Sequence, residues 1–115
     1  MSVKPIIIKN TKDNKEYTLE FNRESVVFAE QRGFKIEDLG DFPMTKIPEL
    51  FYYAFRMHHK NIARNQTDKI LFEELGGIPS GMLERLAELY TEPFNSIAVL
   101  DEGEERKNSS LTVEM

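Results

Sequence analysis

The sequence predicts an α+β fold, in which an N-terminal β-hairpin packs with a mainly α-helical bundle of about four helices. Apolar and polar residues alternate over residues 17–21, which is the period of a strand with one buried face. Apolar residues recur at helical spacing over residues 46–64, as on a helix that packs against a core. Glycine or proline then separates further apolar segments, as expected between helices.

The two strands of the hairpin are predicted over residues 5–10 and 17–21, joined by residues 11–16. The connecting segment contains Asp13 and Asn14, whose short polar side chains bond to nearby backbone groups and favour turns. The strands are therefore expected to be neighbours.

A short helix is predicted over residues 23–32. Asn22 is expected to cap its free backbone N–H groups, and Gly33 is placed to end it. Val27 is expected to face inward. The loop that follows is predicted to contain one helical turn at residues 36–39.

The longest helix is predicted over residues 46–64, with Thr45 as its N-cap. Pro48 fits this helix only if it lies in the first turn, because proline has no N–H group to donate farther along. One apolar stripe of this helix is expected to face the core; its members are Ile47, Leu50, Phe51, Ala54, Phe55, His58 and Ile62.

Two shorter helices are predicted towards the C-terminus. The first spans residues 67–75 and ends at Gly76 and Gly77. The second begins at about residue 80 and is kinked or restarted at Pro93. Its apolar positions are Leu83, Leu86, Ala87 and Tyr90.

A single domain is expected over residues 1–100, followed by a disordered acidic tail over residues 101–115. The length of 115 residues suits one domain. The tail contains five acidic and two basic residues, and it has too few apolar groups to offset the entropy lost on ordering.

Composition and charge exclude several classes of function. No apolar run approaches the ~18 residues of a membrane span, and residues 6–8 are too short an apolar patch for a signal peptide. The net charge of -5 makes nucleic acid and anionic membranes poor partners. The chain has no cysteine, which excludes disulfides and thiolate metal sites.

A second apolar face is predicted on the longest helix, off the core stripe. Tyr52, Tyr53 and Met57 lie on it, with His59 beside them. An apolar face that the chain does not cover marks a contact with another protein, so these four residues are the candidate partner-binding or oligomer face. The alternative is that they pack against the hairpin or the last helix of a monomer.

No residues are predicted to be catalytic, to bind a cofactor or to bind a metal. His58 and His59 are adjacent, and neighbours on a helix point ~100° apart, which is poor geometry for a shared metal. A hydrolase that uses either histidine is a distant third possibility. The basic cluster over residues 56–64 is the one place where a polyanion or an acidic partner would dock.

Residues 67–90 match the outline of a helix-turn-helix. A small regulatory DNA-binding protein is therefore the alternative function. Its recognition helix would carry only Arg85 as a base, set between Glu84 and Glu88, whereas a helix that reads DNA needs several donors.

Three segments taken in order resemble a family of small proteins from phages and prophages of Gram-positive bacteria. They are KEYTLEFNRESV at residues 15–26, DFPMTKIPELFYYAFRMHHKNI at 41–62 and LERLAELYTEP at 83–93. The family is associated with the tail module and regarded as tail assembly chaperones.

The resemblance implies a protein that is not an enzyme and that binds the tape-measure protein in the host bacterial cytoplasm until the tail tube forms around it. It also implies a homo-oligomer. The family supplies no binding residues to transfer, so the candidate face rests on helix geometry alone.

Overall fold

The computed structural model describes residues 3–97 and residue 114. Strands β1 (Ile6–Asn10) and β2 (Lys15–Leu19) form the predicted antiparallel hairpin, with Ile6 opposite Leu19 and Asn10 opposite Lys15. The tail predicted over residues 101–115 lies outside the described residues, except for residue 114.

Four helices follow the hairpin: α1 (Arg23–Gln31), α2 (Pro43–Phe55), α3 (Arg64–Lys69) and α4 (Met82–Thr91). Three short helical turns accompany them. Two are 3₁₀ turns, which are tighter than an α-helix, at Ile36–Leu39 and Glu92–Ser96, and one is a π turn, which is wider, at Ile70–Glu74. The predicted α+β fold is confirmed. In the described part of the chain, no helix is long and apolar enough to cross a membrane.

Helix α2 lies at the centre and packs against α1, α3, α4 and β2. The backbone N–H of Glu20 donates to the carbonyl of Ala54 over 3.0 Å, which ties the end of β2 to the last turn of α2. The strand therefore ends at Leu19, two residues earlier than predicted. The largest fully buried side chains are Tyr90, Phe51, Phe55, Leu19, Leu50, Leu71, Leu86 and Leu89.

Helix α1 is capped as predicted. The Asn22 side chain accepts from the Ser25 N–H over 2.8 Å, and the Ser25 hydroxyl accepts from the Asn22 N–H over 2.9 Å, which is a reciprocal capping box. The prediction for Val27 is wrong, because Val27 is 45% exposed and Val26 is buried instead. The two valines point ~100° apart, and the buried side is the one that carries Ala29.

Helix α2 begins earlier and ends earlier than predicted. Pro43 is its first residue, so Pro48 lies in the interior and not in the first turn. The N–H that Pro48 lacks would have bonded to the carbonyl of Met44, which is an exposed residue. After Phe55 the chain turns, and His58 and His59 do not lie on a helix.

Helix α3 begins at residue 64 instead of 67. The Ala63 N–H donates to the Gln66 side chain over 2.8 Å, which satisfies one free donor at this helix start. Helix α4 begins at Met82, after Gly81 with φ 82°. The predicted restart at Pro93 is confirmed, because α4 gives way there to a 3₁₀ turn.

Candidate functional site

Tyr53, which is predicted to lie on the second apolar face of α2, is covered by other parts of the chain. The residue is 6% exposed, and its ring packs edge-to-face against Phe28 at 6.0 Å and Phe34 at 5.5 Å between centroids. Burial, followed by the nearby Glu49, raises the pKa of Tyr53. Tyr53 therefore belongs to the core between α1 and α2.

Tyr52 and Met57 are half-buried. The Tyr52 ring lies 5.2 Å from that of Tyr53, and Tyr52 packs against the edge of the core. A partner contact at these two residues stays a prediction, but they do not form a broad apolar face.

His59 is engaged with the hairpin. The Thr18 N–H of β2 donates to His59 Nε2 over 3.0 Å, and the imidazole ring packs on Tyr17 and Phe55 at 5.4 and 6.0 Å between centroids. Burial, and to a lesser extent the neighbouring His58, lowers the pKa of His59. A neutral ring is what this bond requires, because Nε2 can accept only when it carries no proton.

His58 contacts the same strand end, since its Nε2 lies 2.8 Å from Glu20 Oε1. The two histidines, which lie in the loop after α2, thus both contact the C-terminal end of β2. This arrangement explains why the helix stops at Phe55, because tertiary hydrogen bonds override the helical preference of the residues that follow.

An apolar groove lies between the N-terminal half of α2 and the π turn. It has a volume of about 200 Å³. Its lining residues are Pro43, Met44, Ile47, Pro48, Leu71, Phe72, Gly77 and Ile78. Met44 is 88% exposed and Phe72 57% exposed, and nearby in the chain Phe42 is 58% exposed. These large apolar side chains are exposed to solvent, although the core residues beneath them are buried.

The π turn explains why Phe72 is exposed. The Leu75 N–H donates to the Ile70 carbonyl over 2.8 Å, and the Gly77 N–H donates to the Leu71 carbonyl over 2.8 Å. This wider turn leaves Ile70 and Leu71 in the core and Phe72 outside it. Single π turns of this kind occur frequently at functional sites.

The sequence contains a signal for the groove that the helix analysis missed. Three consecutive apolar residues, Ile70 to Phe72, cover about 200° of a helix, so one of them must leave the core face. The N-terminal end of α2 gives a similar signal, since Phe42 and Met44 flank the Pro43 at which the helix starts.

The chemistry of the groove suits a protein side chain better than a cofactor. Small-molecule pockets usually measure about 300–1,000 Å³ and contain placed polar groups, whereas this groove is smaller and its lining is apolar. Among the described residues, no group of His, Cys, Asp or Glu is arranged to hold a metal ion.

Residues 67–90 contain the end of α3, the π turn and most of α4. Met82, Leu86, Leu89 and Tyr90 of α4 are buried, and the exposed side carries Glu84, Arg85 and Glu88. This mainly acidic side repels phosphate groups. No feature of the region favours the DNA-binding alternative.

The fold is that of a small α+β domain with an exposed apolar groove. The chain matches, over residues 1–115, the family described as Domain of unknown function (DUF5055), and it belongs to that family. No curated protein and no solved structure matches the chain.

Proposed function

We propose that this protein is a tail assembly chaperone of a phage or prophage, without enzymatic activity, that binds the tape-measure protein and keeps it soluble in the host cytoplasm. The observation that carries the proposal is the exposed apolar groove between α2 and the π turn. The resemblance of residues 15–26, 41–62 and 83–93 to such chaperones supports the same conclusion.

The client requires a surface of this kind. A tape-measure protein is long and helical, and its apolar stripes aggregate unless another protein covers them. An amphipathic helix binds by placing its apolar side chains in an apolar groove. Met44 suits this role, because methionine is flexible and adapts to side chains of different shape.

The groove replaces the face of residues 52–59 as the proposed client surface. Tyr53 is enclosed by Phe28 and Phe34, and His59 is bonded to β2, so neither is free to contact a client. Met44 and Phe72 are exposed without any rearrangement.

A groove of about 200 Å³ holds only a few side chains, so one copy binds a single helix weakly. Several linked copies bind a long client much more tightly, since each further contact is intramolecular. A homo-oligomer that presents several grooves is therefore part of the proposal.

Co-expression with the tape-measure protein of the same phage or prophage tests the proposal. A soluble complex that co-elutes in size-exclusion chromatography with light scattering is expected. Met44→Gln together with Phe72→Ser is expected to weaken it, because both side chains are exposed and their loss leaves the core intact.

Two further variants distinguish the groove from the face of residues 52–59 as the surface that binds the client. Val27→Ser removes an exposed apolar side chain outside the groove and is expected to leave the complex unchanged. Tyr52→Asp tests the face predicted from the sequence. A client that stays insoluble beside the wild-type protein contradicts the function, whereas a complex weakened by Tyr52→Asp alone contradicts only the placement of the surface.

A further inference from the structure

The outer edge of strand β2 is covered by the same chain. The Thr18 N–H donates to His59 Nε2 over 3.0 Å, and the Glu20 N–H donates to the Ala54 carbonyl over 3.0 Å. Both N–H groups therefore point away from β1. In an antiparallel pair, residues that bond to the neighbouring strand alternate with residues whose backbone groups point outward. The bonds to β1 are thus made by the residues of β2 that alternate with Thr18.

The outer edge of β1 is open. Ile7 and Lys9 lie opposite Thr18 and Glu16, so by the same alternation their N–H and C=O groups point away from β2. Within residues 3–97, no hydrogen bond involves these backbone groups of Ile7 and Lys9. A strand edge with unpaired backbone groups is a template for another strand. The sheet can therefore grow at β1 and not at β2.

The open edge is apolar and held in place. β1 begins with three isoleucines, of which Ile7 is 46% exposed. At the end of the strand, Asn10 Nδ2 donates to Glu74 Oε1 over 3.2 Å, and ahead of its start the Val3 N–H donates to the Glu92 carboxylate. A strand that is already ordered loses less conformational freedom when it pairs, which favours association.

The backbone groups of this edge complement a second copy of themselves. When two β1 strands lie antiparallel with Ile8 opposite Ile8, Ile7 of each copy lies opposite Lys9 of the other. Each such pair exchanges two N–H···O=C bonds, so every outward donor and acceptor of Ile7 and Lys9 has a partner. A pairing centred on Ile7 would place Lys9 opposite Pro5, which has no N–H, and would leave the Lys9 carbonyls unpaired.

The side chains fit the same register. On the exposed face, Lys9 lies between Ile7 of the second copy and Glu16 of its own hairpin, whose Oε2 is 4.0 Å from Lys9 Nζ. Like charges directly opposite each other would oppose pairing, and this register places none there. The aliphatic stem of Lys9 can cover the exposed Ile7 side chain while its ammonium group stays in water.

We propose that β1 pairs with β1 of a second copy of this chain, centred on Ile8, in a four-stranded sheet with the two β1 strands in the middle. The sheet ends at two β2 strands whose outer edges are covered, so the assembly closes as a dimer with two-fold symmetry and does not grow into a fibre. The dimer presents two apolar grooves. It gives an interface to the homo-oligomer of the proposed function, and in that use it rests on that function.

Amide hydrogen exchange of the full-length chain, followed by NMR at low and high protein concentration, tests the pairing. Light scattering gives the oligomeric state at each concentration. The interface is small, so the dimer is expected only at micromolar concentrations or above. The Ile7 and Lys9 amides are expected to exchange about tenfold or more slowly in the dimer, because they gain acceptors there. The Ile8 amide bonds within the hairpin in both states and is expected to change less.

Two substitutions at one position isolate the backbone bond. Lys9→Pro removes the outward N–H, whereas Lys9→Thr removes the same charge and keeps the N–H. Proline is tolerated in an edge strand where the missing N–H faces solvent, so the monomer is expected to keep its fold, which far-ultraviolet circular dichroism verifies. Lys9→Pro is expected to weaken the dimer by about tenfold or more, because each copy loses a hydrogen bond, and Lys9→Thr is expected to leave it nearly unchanged.

A chain that stays monomeric at every concentration overturns the proposal. A dimer in which the Ile7 and Lys9 amides still exchange quickly, or one that Lys9→Pro does not weaken, also overturns it, because the copies then meet at another surface. These measurements do not use the tape-measure protein, so a client complex that still forms leaves the proposed function standing. Amides of Ile7 and Lys9 that slow only when that protein is added show that the edge binds the client and not a second copy.

Discussion

Replacing Leu71 and Phe72 separately by alanine tests whether the groove is open in solution. The two residues are adjacent in the chain, but Leu71 is 2% exposed and Phe72 is 57% exposed. We therefore expect Leu71→Ala to destabilise the fold strongly and Phe72→Ala to destabilise it only slightly.

The magnitudes follow from the buried areas. Truncation of a buried leucine to alanine costs about 2–5 kcal/mol, since it removes favourable transfer energy and leaves a cavity. A fully enclosed phenylalanine buries about 150–250 Å², and Phe72 is 57% exposed, so about 65–110 Å² of it is covered. At ~25 cal/mol per Å² the upper limit for Phe72→Ala is ~2.7 kcal/mol, and about 1–2 kcal/mol is expected because the unfolded chain also buries part of this area.

Urea unfolding monitored by circular dichroism measures both free energies. The slope of the free energy against urea concentration is expected to stay constant, since neither variant changes the extent of the fold. An equal cost for the two variants refutes the reasoning, because it shows that the Phe72 ring is enclosed and that the groove is closed. Phe72→Ala is also the variant expected to lose client binding while the fold persists.

Three further predictions concern the capping of α1 and two buried titratable groups. Asn22→Ala is expected to destabilise the fold by about 1 kcal/mol in urea unfolding, and Asn22→Asp by clearly less, because aspartate can still accept from the first turn; equal losses would contradict the role of the cap. Burial lowers the pKa of His59 below 6.5, so the stability that depends on its neutral form is present above pH 6.5 and lost as the pH falls through the lowered value. His59→Gln keeps an acceptor for the Thr18 N–H, and unfolding at a series of pH values should show a shallower loss in acid than the wild type shows. Burial raises the pKa of Tyr90 to about 12, so its contribution to stability is lost as the pH rises from about 10 through 12, and ultraviolet difference spectra should show one tyrosine that ionises after the others.

Local signals in the sequence predicted the elements that local chemistry controls. The Asn22 cap and the Gly33 terminator place α1 correctly, and Asp13 with Asn14 places the hairpin turn. These signals succeed because the hydrogen bonds involved connect residues only a few positions apart.

Helical periodicity predicted where the helices lie better than it predicted which of their side chains are exposed. It correctly separated Tyr53 from the main stripe of α2, but it did not reveal that Phe28 and Phe34 cover Tyr53 from another side. Similarly, it placed Val27 towards the core, although Val26 is the valine that is buried. The reason is that helical periodicity gives the direction in which each side chain leaves its own helix. It contains no information about the neighbouring elements that cover that side chain.

By itself the sequence determined the α+β class, the order of the hairpin and helices, the cap of α1 and the change at Pro93, because each depends on residue pattern or on short-range bonds. Only the tertiary structure decided where α2 ends and which apolar residues remain exposed. The His59 bond to β2 and the packing of Tyr53 on Phe28 and Phe34 join residues that are far apart in the chain. Contacts of this kind depend on the arrangement of whole elements, which no local pattern specifies.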